Sequence, residues 1–178
     1  MDIFAHALWT AAAAVALRPK LKQPIRVGWC VAWAVFPDLA SFLIPALVRI
    51  GRWVTGASAT LLPDGQGPRF DWVWQVYNCT HSAAVFTVVF GALCLFLPRP
   101  PLEMLGWALH IVIDVFTHRG WFAVKFLWPL SSCHVDGLPW ETPWFLAANW
   151  VSLAGVWLLM LVRMRLHRTA EGSSSCRE

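Results

Sequence analysis

The sequence predicts an all-α membrane protein, a polytopic bundle of four to five helices, and two observations lead to this prediction. Of the 178 residues, 58% are apolar and only 13% are charged, whereas soluble domains are about half apolar and a quarter charged. The apolar residues also form long segments. Because hydrocarbon offers the backbone no hydrogen-bond partner, such segments are expected to be helical.

Five apolar segments are visible along the chain. The second, third and fifth approach or reach the roughly 20 residues that cross a bilayer. Pro37 and Pro45 are expected to break the second. The first and fourth are shorter and would tilt or pack inside the bundle. The predicted helices span about residues 3–17, 27–48, 72–97, 102–118 and 144–162.

The charged residues predict domain organisation and orientation. We expect one membrane-embedded domain at 1–165 and a cytoplasmic, disordered polar tail at 166–178. Basic residues cluster between the first two segments and after the fifth, which the positive-inside rule assigns to the cytoplasm. The net charge of +4 therefore reflects membrane orientation, and nucleic-acid binding is not expected.

The stretch HIVIDVFTH places three ionisable groups in an apolar segment, with His110, Asp114 and His118 at i, i+4 and i+8. At about 100° per residue these side chains drift by only about 40° per step, so they share one helix face. A charge at mid-bilayer costs at least about 2.5 kcal/mol. Such a face therefore needs mutual neutralisation or a bound cation.

Three more ionisable groups are expected at the same depth. If successive segments cross in alternating directions, His6, Asp38 and His81 lie in the same half of the membrane as the HIVIDVFTH groups. His and Asp from neighbouring helices suit zinc or a similar divalent ion. The predicted metal ligands are His6, Asp38, His81, His110, Asp114 and His118.

Each group also has a plainer interpretation. His6 alone is typical of a packing histidine, Asp38 could cap the second half of a broken helix, and His81 could cap a helix start along with Thr80 and Ser82. The three groups of HIVIDVFTH could form a buried polar network that only holds helices together. It is the expected meeting of six ligand-type side chains at one depth that favours a metal site.

These motifs resemble the YdjM-type family of inner-membrane metal-dependent hydrolases. MDIFAHAL, FPD, THS, HIVID and THRGW followed by LWPLS occur in this order within roughly residues 1–132. The order is also similar to that of zinc-dependent phospholipase C and related single-strand nucleases, which cut phosphate esters with a zinc cluster held by His and Asp on helices. The resemblance implies a hydrolase of the bacterial inner (cytoplasmic) membrane.

The resemblance also implies roles for individual residues. The six side chains would be metal ligands, with Asp114 bridging two ions and Asp38 also handling the proton of the attacking water. The phospholipase pattern continues with a His-x-x-x-Glu pair, whereas here His134 and Glu141 lie seven residues apart. One or two ions are therefore expected instead of three, and it stays open whether His134 and Asp136 reach the site.

The predicted function is that of a membrane-embedded phosphoesterase acting on a lipid or lipid-linked phosphate, with Asp38 and Asp114 catalytic. Arg119 could contact a phosphate oxygen, because guanidinium suits bidentate phosphate binding, or could simply anchor the helix end at the headgroups. Two other classes stay open. One is an ion or proton relay, and the other is a non-enzymatic regulatory membrane protein with a structural polar cluster.

Overall fold

The computed structural model of the protein describes residues 1–56 and 71–175. Among these residues it has six α-helices and no strand, so the predicted all-α class is confirmed. There are six helices instead of four to five because the third apolar segment forms two. The helices are α1 (Ile3–Leu17), α2 (Val27–Val54), α3 (Asp71–Thr80), α4 (Ala83–Phe96), α5 (Leu105–Thr117) and α6 (Pro143–Ser175).

Two of the described helices are long and apolar enough to cross a membrane, namely α2 and the part of α6 from Pro143 to Leu166. Helices α3 and α4 add a third span if they count as one broken helix, since they are bent by 60° at a short break. With 15 and 13 residues, α1 and α5 are too short to cross upright. Both pack against α2.

Helix α2 differs from its prediction. It continues through Pro37 and Pro45 and ends at Val54, so the expected break and the expected end near residue 48 were wrong. Each proline removes a single backbone N–H, and the rest of the helical ladder stays intact. Ser41 adds a side-chain hydrogen bond of 2.9 Å to the carbonyl of Pro37, the kind of support that lets buried membrane helices tolerate proline.

Helix α6 also extends beyond its predicted end. Its backbone is helical to Ser175, so the helix continues past its expected end near residue 162 into the predicted tail at 166–178, whose predicted disorder stays a prediction. The stretch RMRLHR, residues 163–168, consists largely of good helix formers, which favours this continuation.

The break between α3 and α4 separates His81 from the helix that follows it. Ser82 caps α4 by accepting a hydrogen bond of 3.2 Å from the N–H of Val85. The carbonyl of Phe126, in the loop after α5, accepts a second bond of 2.8 Å from the N–H of Ala83. The first turn of α4 is therefore satisfied by the chain around it.

The loop between α5 and α6 folds back onto the end of α5. Three successive carbonyls there, which no helical N–H can reach, accept hydrogen bonds from this loop. These bonds fix the backbone that carries His118. They run from Gly137 to His118 (2.9 Å), from Leu138 to Phe116 (2.9 Å) and from Trp140 to Thr117 (3.1 Å).

Helices α2 and α5 approach each other closely at Gly106. A Cβ added to this glycine would clash with the backbone carbonyl of Cys30, which is itself buried. Small residues allow such backbone approach between membrane helices. Since α2 carries Asp38 and α5 carries Asp114, this approach helps to set the distance between the two carboxylates.

We expect Gly106→Ala to lower the free energy of unfolding by about 1–3 kcal/mol, because the added methyl group would push two backbones apart. Thermal unfolding in detergent measures the change. Gly91→Ala in α4 is the matched control, since a Cβ there meets nothing within 4 Å and alanine favours helix. Equal stability of the two variants would contradict the proposed close packing.

Candidate metal centre

The structure brings all six predicted ligands into one connected cluster. Four of the side chains are almost completely buried, with exposed fractions of 1% or less. The cluster thus joins α1, α2, α5 and the break between α3 and α4. Its members are His6 on α1, Asp38 on α2, His81 in the break, His110 and Asp114 on α5, and His118 at the end of α5.

Four of these residues direct one ligand atom each into a shared space, and the four atoms lie within 4.8 Å of one another. The Nε2 atoms of His81 and His110 are 3.0 Å apart. Oδ2 of Asp114 lies 3.5 Å from the His81 nitrogen and 3.1 Å from the His110 nitrogen. Oδ1 of Asp38 lies 3.6 Å from the His81 nitrogen and 3.8 Å from the His110 nitrogen. Ligands of a tetrahedral zinc ion are about 3.3 Å apart at bond lengths of about 2.0–2.1 Å, so the spacing suits such an ion.

The hydrogen bonding of the cluster also fits a cation. Oδ2 of Asp114 is buried and has no hydrogen bond of good geometry from a described residue, although Nε2 of His110 lies 3.1 Å away. The Nδ1 atom of His81 lies 3.0 Å from the carbonyl oxygen of Tyr77. A carbonyl accepts only, so Nδ1 carries the proton, and in the neutral imidazole Nε2 presents a lone pair. A divalent ion among these groups would accept this lone pair and neutralise the facing carboxylate oxygens.

Tyr77 orients His81 in two ways. Its carbonyl holds Nδ1, the arrangement in which metal-bound histidines usually donate their second N–H. Its ring stacks on the imidazole with the ring centres 4.0 Å apart. Sequence reasoning missed Tyr77, although the spacing YNCTH places it four residues before His81 in a helix, where side chains are neighbours.

The other oxygen of Asp114 faces a second set of groups. Oδ1 lies 2.8 Å from Nε2 of His6 and 3.3 Å from Nδ1 of His118. The amino group of Met1 donates to the same oxygen at 2.6 Å. The His6 ring also stacks on that of His110, with centres 3.9 Å apart. Asp114 therefore contacts one group of partners through each oxygen.

The structure does not show Asp38 or His81 as a capping residue, although the helix start considered at THS is present and Ser82 caps it. Asp38 lies inside the continuous helix α2 and caps no helix. It is Ser82 that caps α4, while His81 enters the cluster. Both side chains are therefore placed by the cluster and not by local helix capping.

A cavity of about 560 Å³ opens beside the cluster, and Asp38 and His118 line it. The side chain of Asp38 is 18% exposed, against 1% for Asp114. Asp38 is thus the carboxylate that water or a substrate meets first, whereas Asp114 is enclosed.

The remaining candidates lie apart from the cluster. Arg119 is exposed and does not line this cavity, so its predicted phosphate contact stays a prediction. His134 lines a separate cavity of about 490 Å³, and Asp136 accepts a hydrogen bond from the N–H of Gly120 at 3.3 Å. Glu141 lines the cavity beside the cluster but is itself exposed.

Comparison with known proteins adds no relative: no protein family, curated protein or solved structure matches the chain. The resemblance to YdjM-type hydrolases therefore stays a prediction that rests on the quoted motifs. The case for a metal site rests on the geometry of the four ligand atoms.

We expect Asp114→Asn and His110→Ala each to lower bound metal at least about tenfold, because each removes a ligand atom and even outer partners of metal ligands contribute about 10–100-fold in affinity. Elemental analysis of the detergent-purified protein measures the metal. His134→Ala is the control, since this histidine lies on the other cavity. Equal metal content in all four proteins would show that the cluster does not bind the ion.

Proposed function

We propose that the protein is an integral-membrane, metal-dependent hydrolase of the bacterial inner membrane, and that it acts as a phosphoesterase on a lipid or lipid-linked phosphate. One observation supports this above all: four ligand atoms lie within 4.8 Å of one another, and one of the carboxylates borders a cavity. Structural zinc sites are closed by protein ligands, whereas catalytic sites keep a position open to water or substrate. Because Asp38 borders the cavity, an ion held beside it would keep the side next to the cavity open to water or substrate.

The buried candidate ligands and the partly exposed Asp38 have different proposed roles. His81, His110 and Asp114 are enclosed by helices and would hold the ion in place. A bound zinc or similar divalent ion would make its water more acidic and draw charge from the phosphoryl oxygens. Oδ1 of Asp114 faces His6 and His118, and the amino group of Met1 donates to the same oxygen. A second ion bridged by Asp114 would take the place of this amino group.

Asp38 is the proposed proton acceptor. It borders the cavity and lies among the ligand nitrogens, within reach of a water held at the same place. The carboxylate takes a proton as the water oxygen forms the new P–O bond and the ester P–O bond breaks. The same proton then passes to the leaving oxygen, so the carboxylate is regenerated.

The surroundings of the site support a lipid substrate. The cluster draws ligands from α2, which is long and apolar enough to cross a membrane, and from the break in the bent pair α3–α4. A phosphate ester that is already anchored in the bilayer reaches this depth without leaving it. Phospholipids and lipid-linked pyrophosphates, assayed with and without chelator, are therefore the first substrates to screen.

We expect Asp38→Asn to lower turnover by about 10²–10⁴-fold, the usual contribution of a positioned general base. Chelation should abolish the same activity, and added zinc should restore it. His134→Ala, outside the cluster, should leave turnover unchanged. Metal content measured in parallel separates loss of the base from loss of the ion.

Other outcomes would favour the other two classes. Proton or cation flux through liposomes that depends on Asp38 and Asp114, without turnover, would indicate a relay. Loss of stability in the Asp38→Ala and Asp114→Ala variants, with no turnover of any phosphate ester by the wild type, would indicate a structural cluster. Either outcome would contradict the hydrolase.

A further inference from the structure

The cavity beside the cluster has a polar end and an apolar side. Asp38 and His118 stand at the polar end. The apolar side is formed by α2, whose contributing residues follow the spacing i, i+3, i+4 and i+7 and therefore share one helix face. We call this side the apolar wall, and its members are Leu39, Phe42, Leu43 and Ala46.

The same face of α2 continues beyond the cavity. Leu39 and Leu43 are 41% and 47% exposed, and Leu47 and Ile50 on the same stripe are 58% and 56% exposed. Because α2 is long and apolar enough to cross a membrane, an exposed apolar face on it adjoins hydrocarbon. The apolar wall thus continues from the cavity onto a face of α2 that would adjoin lipid.

Other residues complete the lining, and we call the whole lined cavity the cleft. Ile3 of α1, Phe122 and Trp140 are among them, as are the acidic residues Asp2 and Glu141. No Lys or Arg is among the described lining residues. Apart from the amino group of Met1, which also lines the cavity, a phosphate in this cleft would therefore depend on the cluster and its ion for positive charge.

We infer that the apolar chain of the substrate lies against the apolar wall, with its phosphate at Asp38 and His118, and that substrate enters sideways from the bilayer. The occupant is a single- or double-chain amphiphile that bears a phosphate. The inference rests on the proposed function for what happens to the phosphate, but chain binding itself can be tested without turnover.

The physical role of the apolar wall is orientation more than affinity. Moving a methylene group from water into an apolar site gains about 0.8 kcal/mol, but a chain that comes from hydrocarbon gains little of this. What the wall provides is a fixed direction for the chain, which holds the phosphate against the cluster. Restricting a reactant in this way contributes to rate through proximity.

A photoreactive probe tests this inference. Dodecyl phosphate with a diazirine near the end of its chain is irradiated with the metal-loaded full-length protein in lipid nanodiscs, and the labelled residues are mapped by mass spectrometry. We expect labels on the apolar wall and on Ile3 or Phe122, which also line the cleft. Unlabelled dodecyl phosphate should compete, whereas inorganic phosphate or dodecanol alone should compete poorly, because each has only half of the recognised chemistry.

Two tryptophan variants supply the matched comparison. Leu43→Trp should reduce labelling in the cleft at least about fivefold, because the indole fills the space that the chain needs, while metal content shows that the cluster is intact. Leu158→Trp makes the same change on an exposed leucine of α6 and should leave cleft labelling unchanged.

The outcomes separate this inference from the hydrolase proposal. Labels scattered over lipid-facing residues of α6, or equal labelling of the two variants, would overturn the inference even if the protein hydrolyses phosphate esters. Labelling confined to the cleft and lost in Leu43→Trp would support it, also in a protein that shows no metal-dependent turnover.

Discussion

The buried carboxylate of Asp114 is the group on which the arrangement of helices depends. It is 1% exposed, and an uncompensated charge in such a place destabilises the fold by several kcal/mol. Its two oxygens meet His6 from α1, His81 from the break between α3 and α4, and two histidines of its own segment. Asp114 and the histidines that contact it, which are the candidate metal ligands, are therefore also the groups that bring these helices together.

The backbone is adapted to this requirement at three places. Gly106 lets α5 approach α2 closely, which brings the two carboxylates to one site. The break before α4 frees His81 to turn inward, because Ser82 and the loop at Phe126 satisfy the new helix start. The returning loop holds the end of α5 and with it His118. None of these backbone features is itself a candidate metal ligand, yet each of them positions a residue that is.

Sequence reasoning succeeded where the signal was periodic and failed where it depended on tertiary contacts. The spacing in HIVIDVFTH predicted a shared helix face. The depth of His6, Asp38 and His81 along their apolar segments predicted that they lie at the same level of the bundle as that face. A helix start at THS was considered only as the plainer interpretation of His81, since a capping serine reads the same inside a continuous segment. Prolines in α2 were given too much weight, because a helix packed against others tolerates the loss of single hydrogen bonds.

Helix α2 connects the chemistry of the site to its surroundings. Asp38 enters the cluster, and the next residue, Leu39, begins the apolar wall. Because a helix rises about 1.5 Å per residue, the register of this one helix would fix the distance between a phosphate at the cluster and each contact along the proposed substrate chain. The cluster borders open space at the cavity, and the apolar wall leads from there to exposed apolar residues of α2. On the proposed function, the depth that made six ionisable groups improbable in a bilayer would also determine which substrates can reach them, since a molecule dissolved in the same hydrocarbon would arrive with its phosphate already near the ion.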